Sequence, residues 1–239
     1  MITQQIHRAV STTVNSSKAH ARALVTKEPN IVYRLANKKD KEALTDLMAM
    51  YISNRPYQGT LRDTEERCSY MVRDALRFPY TMMAYDNDLP VGFSLITNRF
   101  RDVSKNRLEL LGPIPRTTTD VLDNLRDHAE NHLWCLVPEA QNIFINEALF
   151  IEPNYRRQQI ASTLVEEQFR RICLLTKNEW SMNGMIAPVT SYAHFCLLEK
   201  LGFVCIYDIP PQSFLTANGE EWKSADTTVP FARLMLLKY

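Results

Sequence analysis

The chain has 239 residues, of which 45% are hydrophobic and 23% charged, as is ordinary for a soluble globular protein. The formal net charge of +1 provides no global field that would favour nucleic acid or an anionic membrane surface. Apolar runs such as LMAMYI and RLMLL are far shorter than the roughly 20 residues that span a bilayer. We therefore expect a sizeable buried core, with neither nucleic acid nor a membrane as partner.

The cysteines and the N-terminal segment bear on the compartment. Five cysteines, an odd number without a CxxC pair, indicate reduced thiols of an intracellular protein. The first 27 residues contain no Asp or Glu, carry four Lys or Arg residues, and are rich in Ser and Thr, which is typical of a mitochondrial transit segment. A solvated tail or short helix is the alternative. We predict an N-terminal extension at 1–29 and a cytoplasmic protein, with a mitochondrial location as the alternative.

The first half of the chain predicts a strand, two helices and a hairpin. NIVYRLA at 30–36 alternates and contains β-branched residues, which favours a strand. Asn37 or Asp40 is a suitable cap for the helix that follows. That helix places five apolar residues at helical spacing: Leu44, Leu47, Met48, Tyr51 and Ile52. SNRPYQGT is a loop, and a second helix runs from about Asp63 to Leu76. YTMMAYDNDLPVGFSLITNRF then predicts a hairpin.

The second half alternates strands and helices. The segment 101–116 predicts a loop, and Thr117 to Asp120 cap a long helix that ends near Leu136. NIFINEALFI and NGMIAPV predict strands separated by a helix from Ile160, and SYAHFCLLEK predicts a short helix. GFVCIYDI and PFARLMLLKY are the last two strands. We expect one domain over 30–239, with a mixed α/β sheet that starts antiparallel and contains a βαβ unit.

The stretch IEPNYRRQQIASTLVEEQFRRI, residues 151–172, combines a strand end, a polar turn and a helix. Pro153 offers no N–H and so ends the strand, and residues 155–159 form the turn. A helix that starts directly after such a turn presents free N–H groups, which bind anions. Arg156 and Arg157 add charge that can pair with phosphate oxygens. The alternative is a solvated turn with a basic edge.

IEPNYRRQQIA, followed about 40 residues later by EKLGF, resembles the acetyl-CoA-binding core of the GNAT N-acetyltransferase superfamily, with its V-x-P-x-Y-R-x-x-G-x-G/A turn. Gly202 suits the left-handed position that closes the short helix. The NRPY loop and the long helix before the motif are similar to arylalkylamine N-acetyltransferases of the insect and nematode type. The resemblance implies a single-domain fold with a central, mostly antiparallel sheet flanked by helices. It also implies acetyl transfer from acetyl-CoA to the primary amine of a small molecule, an aromatic amine among the options.

The resemblance also implies a set of CoA-binding residues. The end of the preceding strand binds the pantetheine arm, and the backbone of the turn binds the pyrophosphate. The implied residues are Phe150, Ile151, Arg156, Arg157, Gln158, Gln159, Ile160, Ala161 and Ser162. Gln159 and Arg157 stand where the family has glycine, which is favoured there for close approach and unusual backbone angles. We expect a modified pyrophosphate-binding turn, in which the charges of Arg156 and Arg157 compensate for a less close fit. The alternative is a degenerate GNAT-fold protein that binds CoA or a protein partner.

The acyl transfer needs a base and an acid. Leu198 stands where many family members have the acidic Tyr, so Tyr192 is the candidate acid, with an ordinary half-buried aromatic as the alternative. Arg55 stands where arylalkylamine enzymes have a Glu that acts as the catalytic base. An arginine cannot take that role, because it stays protonated at neutral pH. Glu147 is the best remaining carboxylate. Strand alternation predicts that Glu147 shares a face with Leu149 and Ile151. The apolar surroundings would raise the pKa of its carboxyl group, which suits a general base. The alternative is a Glu at a strand edge that reaches the solvent.

The other candidate residues carry less specific chemistry. His128 and His132 have a spacing that can chelate a metal, but they lie on an apolar stripe without a third ligand, so we expect no metal. His194 is a candidate contact for CoA or substrate, with a plain surface role as the alternative. Tyr57 and Tyr70 suit an aromatic or apolar amine. The chain is expected to be a monomer or a homodimer.

Overall fold

The computed structural model describes residues 29–53, 61–102, 133–176, 184–209 and 232–237. Within these ranges seven strands form one sheet in the order β1-β2-β3-β4-β5-β7-β6. The strands are β1 Ile31–Leu35, β2 Met82–Asp86, β3 Leu89–Phe100, β4 Asn142–Ile151, β5 Met185–Val189, β6 Val204–Ile209 and β7 Ala232–Leu237. The longer helices are α1 Lys41–Ser53, α2 Leu61–Ala75, α3 Ile160–Thr176 and α4 Tyr192–Lys200.

The sheet is mixed and mostly antiparallel, as predicted. The pairs β2–β3, β3–β4, β5–β7 and β6–β7 are antiparallel, whereas β4 and β5 are parallel and joined by α3. Helices α1 and α2 bury their apolar residues against Phe93, Leu95, Ala148 and Phe150. Helices α3 and α4 pack with Ile96 and Phe144 instead. Because neighbouring residues of a strand point to opposite faces, the two helix pairs cover opposite faces of the sheet.

The start of α1 confirms both parts of the sequence prediction. The five residues at helical spacing are the buried ones: Leu44, Leu47, Met48, Tyr51 and Ile52. Asn37 caps the one-turn helix Lys38–Asp40 in a capping box, and Asp40 accepts a hydrogen bond from the Asn37 backbone at 2.8 Å. Arg34 donates to both oxygens of Asp40 at 2.6 and 2.8 Å, and Tyr85 donates at 2.9 Å. The cap therefore joins α1 to β1 and β2.

Helix α3 buries apolar residues such as Leu164, Val165 and Ile172, but a polar residue is buried among them. Gln168 is fully buried and donates to the carbonyl oxygens of Tyr80 at 2.7 Å and Ser94 at 2.9 Å. The Ser94 hydroxyl donates to Gln168 at 2.6 Å and accepts from Asn146 at 2.7 Å. Since these bonds join α3 to β3, to β4 and to the segment just before β2, they fix the helix on the sheet.

The remaining elements follow the predictions within a few residues. Gly202 closes α4 with a φ of 88°, in the left-handed region. The five cysteines are free thiols, and none of the described helices is long and apolar enough to cross a membrane. Several expectations fall outside the described residues: the transit segment, most of the loop at 101–116, the helix from 117 to 132, Arg55, Tyr57, His128 and His132. The domain boundary at 29/30 stays a prediction, and residues 133–136 are helical.

Candidate cofactor and acceptor site

A crevice is built where β4 and β5 stop pairing. The two strands pair only at Phe144↔Met185 and Ile145↔Ile186, although β4 continues to Ile151 and β5 to Val189. Because the strands are parallel, their unpaired carboxyl-terminal halves lie at the same edge. Helix α3 starts beyond the end of β4 and α4 beyond the end of β5, so both helix N-termini flank this opening. Ligands of open α/β sheets bind outside the carboxyl ends of strands at such a position.

The turn between β4 and α3 presents a row of unpaired donors. No described residue accepts a hydrogen bond from the backbone N–H groups of residues 157–162. The first bonded N–H of the helix is that of Thr163, which donates to the carbonyl oxygen of Gln159 at 3.0 Å. Unpaired N–H groups at a helix start carry partial positive charge and bind anions. The side chains of 156–159 are exposed and leave this backbone accessible.

Two of the turn residues adopt the backbone conformation that glycine favours. Arg157 has a φ of 63° and Gln159 a φ of 60°, both in the left-handed region. Successive backbone N–H groups of a turn can form a concavity that binds an anion. Arg157 and Gln159 thus have a backbone conformation that glycine adopts more easily. This conformation accounts for the glycines that the resembling motif has at both positions.

The turn is fastened to the strands on either side. The Tyr155 hydroxyl donates to Asp86 at the end of β2 at 3.0 Å. Burial, reinforced by that bond, raises the pKa of Tyr155 to about 12, so the phenol stays protonated. Arg156 donates through Nε to the carbonyl oxygen of Ile151 at 3.1 Å. The donors of the turn are therefore held in place relative to the crevice before any ligand arrives.

Glu147 lies in a β-bulge, which corrects its predicted orientation. Leu95 pairs with Ala148 and Ile96 with Asn146, so Glu147 is the extra residue of β4. Its carboxylate accepts from Thr97 at 2.6 Å, on the face that β3 turns toward α1 and α2. Leu149 packs on the opposite face, under α3. The prediction that Glu147 and Leu149 share a face is wrong, because strict alternation does not hold across a bulge.

The surroundings of Glu147 also differ from the predicted apolar run. Glu147 is 7% exposed and lies 3.6 Å from the guanidinium of Arg99. Arg99 in turn lies 3.5 Å from Asp74 on α2. The carboxylate thus belongs to a buried polar cluster. Sequence reasoning missed Thr97, Arg99 and Asp74; the one available signal was an arginine inside an otherwise mostly apolar strand.

The other candidate residues are distributed as follows. Tyr192 is the first residue of α4 and is 51% exposed, at the same edge of the sheet as the turn. A hydrogen bond with Cys196 raises the pKa of Tyr192, so it is protonated at neutral pH. His194 lies in the first turn of α4, where its backbone N–H donates to the hydroxyl of the capping Ser191 at 3.4 Å. Tyr70, expected to suit an aromatic amine, lies on the buried face of α2 and is only 2% exposed.

The described residues contain no group of three or more His, Cys, Asp or Glu side chains that could hold a metal ion. The site instead combines donors, which are backbone N–H groups, two arginines and a phenol, with one buried carboxylate as acceptor. This set suits an anionic ligand at the turn and proton transfer beside the crevice.

Comparison with known proteins places the architecture. No family model and no curated protein sequence matches the chain. Mosquito arylalkylamine N-acetyltransferase-like 5b has a similar structure, with a TM-score of 0.66 and 17% identity, over 88% of this chain and 100% of that one. A mutant of agmatine N-acetyltransferase matches with a TM-score of 0.64 and 14% sequence identity. Drosophila melanogaster polyamine N-acetyltransferase matches with a TM-score of 0.62 and 14% sequence identity. Both matches cover 88% of this chain and 100% of the other. The protein has the fold of the GNAT N-acetyltransferases, as its turn and helix motifs predicted.

Proposed function

We propose that the protein is an N-acyltransferase that transfers an acetyl group from acetyl-CoA to the primary amine of a small molecule. The observation that carries the proposal is the row of unpaired N–H groups at 157–162, next to the crevice between β4 and β5. Structures named for arylalkylamine, agmatine and polyamine acetylation share the fold, which supports an amine acceptor. An aromatic amine is one member of that class.

Acetyl-CoA supplies an activated thioester and a pyrophosphate that needs donors. In this proposal the pyrophosphate binds the N–H groups of 157–162, and Arg156 and Arg157 add positive charge. Phe150 and Ile151 lie where β4 no longer pairs with β5, so their backbone groups bind the amides of the pantetheine arm. The open donors favour this proposal over a degenerate relic, since the two large side chains project outward from the turn.

Glu147 and Tyr192 have the proposed catalytic roles. The amine nitrogen attacks the thioester carbonyl, its proton goes to Glu147 directly or through a water molecule, and the C–S bond breaks. Tyr192 donates its phenolic proton to the departing thiolate. The buried position of Glu147 in a bulge, a feature often found next to active sites, supports the first role. The protonated phenol at the carboxyl edge of the sheet supports the second.

Calorimetric titration with acetyl-CoA tests the binding part. We expect micromolar affinity for the unmodified protein and at least a tenfold loss in Arg156→Ala/Arg157→Ala. Lys38→Ala/Lys39→Ala is the matched control, because it removes the same charge from two adjacent exposed residues beside β1, three strands away from β4. This control should bind normally. Absence of binding at millimolar acetyl-CoA, or an equal loss in both variants, contradicts the proposed cradle.

An amine screen with the same protein tests the chemistry. Glu147→Gln should lower kcat by roughly 100-fold or more, the usual contribution of a general base, and leave acetyl-CoA affinity unchanged. Tyr192→Phe should lower kcat by about tenfold if release of the thiolate needs its proton. Tight acetyl-CoA binding without acetylation of arylalkylamines, agmatine or polyamines would favour the alternative of a degenerate CoA-binding protein.

A further inference from the structure

Four polar residues form one buried cluster between α2, β3 and β4. Asp74 is 1% exposed, Thr97 2%, Glu147 7% and Arg99 9%. The two ends of the Arg99 guanidinium face different carboxylates: Nη1 lies 3.5 Å from Asp74 Oδ2, and Nη2 lies 3.6 Å from Glu147 Oε1. The Thr97 hydroxyl donates to the same Oε1 at 2.6 Å. One hydrogen-bond donor, Thr97, and one ion-pair partner, Arg99, therefore approach the same oxygen of the proposed base.

Such a cluster is costly for a structure that needs only stability. Each buried charge loses its hydration, and well-packed apolar residues of similar volume often stabilise a fold at least as well. A planar guanidinium, by contrast, imposes a fixed orientation on the carboxylates at its two ends. The short bond from Thr97 adds a second, charge-assisted restraint on the same oxygen. The cluster thus fixes the direction and the charge of a carboxylate that the bulge places beside the crevice.

We propose that Arg99 and Thr97 are positioning residues that hold Glu147 ionised and in one orientation for deprotonation of the acceptor amine, and that Asp74 holds Arg99. This inference rests on the proposed function, with Glu147 as its base. The amine nitrogen must lose a proton as it forms the amide bond. A neutral or rotated carboxylate would not accept it. Asp74 lies on α2 and is also paired with Arg77 at 3.3 Å, so its own position is fixed.

A double-mutant cycle on kcat separates positioning from stability. Arg99→Met should lower kcat by about 10- to 100-fold with the acetylated amine identified by the screen, and leave KM for acetyl-CoA unchanged. In the Glu147→Gln background the same change should alter kcat by less than twofold, because Arg99 then has no base to position. Arg101→Met is the matched control: its guanidinium donates to the Trp134 carbonyl at 3.1 Å, and it should leave both constants within twofold. Equal losses from Arg99→Met in both backgrounds would overturn the inference.

Thr97 provides a second variant that preserves the volume of the site. Thr97→Val removes the hydroxyl and should lower kcat by about tenfold, whereas Thr97→Ser restores the donor and should recover most of the activity. The Thr97→Val and Thr97→Ser variants test the positioning role even if Arg99→Met does not fold. Equal kcat values for these two variants would overturn the inference. An unmodified protein that acetylates no amine refutes the proposed function itself. An active protein in which neither Arg99 nor Thr97 affects kcat refutes the positioning role alone.

Discussion

Glycine at position 159 should stabilise this protein, although glycine usually destabilises a folded chain. Gln159 has a φ of 60°, and a residue with a Cβ in the left-handed region loses about 1–2 kcal/mol. Glycine removes that loss but has greater freedom in the unfolded chain, which costs about 0.5–1 kcal/mol. The difference predicts that Gln159→Gly raises the free energy of unfolding by up to about 1.5 kcal/mol.

The neighbouring residue provides the matched control. Gln158 has the same side chain in the same exposed turn, but its φ is not positive. Gln158→Gly therefore removes no strain and should lower stability by about 0.5–1 kcal/mol. The two glycine variants should move in opposite directions, with melting temperatures separated by roughly 2–8 °C for a chain of this size.

Urea unfolding followed by circular dichroism measures both variants against the unmodified protein. Equal m-values would show that only stability has changed. If Gln159→Gly destabilises as much as Gln158→Gly, the left-handed conformation does not strain this turn, and the explanation given for the missing glycines fails. The same variants titrated with acetyl-CoA would show whether the Gln159 side chain hinders binding to the turn.

Three further predictions concern the framework around the site. The hydrogen bond from Arg34 lowers the pKa of Asp40 from 3.8 to about 2; its stabilising effect is complete above about pH 4 and is lost as the pH falls toward 2. Asp40→Asn should thus cost about 1–2 kcal/mol at neutral pH and flatten the acid limb of the unfolding curve. Gly184→Ala should destabilise by more than about 2 kcal/mol because its Cβ would overlap a β7 carbonyl oxygen. Gly202→Ala should cost only about 1 kcal/mol, because its Cβ would meet only the Leu237 side chain, at an ordinary contact distance of 3.6 Å. Gln168→Met keeps the volume but leaves two carbonyl oxygens and a hydroxyl without their partner, and a loss of at least about 2 kcal/mol in chemical denaturation would confirm the network.

Local patterns were sufficient to predict most elements and the location of the turn. The spacing of apolar residues identified the buried face of α1, and Asn37 identified the cap of the one-turn helix that leads into it. The motif around Arg156 placed the turn after β4 and before α3. These features depend on residues within one or two helical turns of each other, so their physical causes lie within a short stretch of sequence.

The candidate base shows where local reasoning fails. Alternation is a local rule, and it assigned Glu147 to the wrong face because a bulge adds one residue to β4. The residues of the cluster lie far apart in sequence. Thr97 is 50 residues from Glu147, and Asp74 is 25 residues from Arg99. A burial pattern read from one segment does not reveal these partners, since they come from other strands and helices.

The sequence by itself determined the order of strands and helices, the mixed sheet and the turn that resembles a phosphate cradle, because propensity, periodicity and capping act between near neighbours. Only the tertiary structure decided three things: the left-handed backbone at Arg157 and Gln159, the point where β4 and β5 separate, and the cluster around Glu147. Each depends on how distant segments pack. The backbone angles of the turn are fixed by what the strand and helix on either side require, and the charges of the cluster are stable in the interior only because residues from three elements meet there.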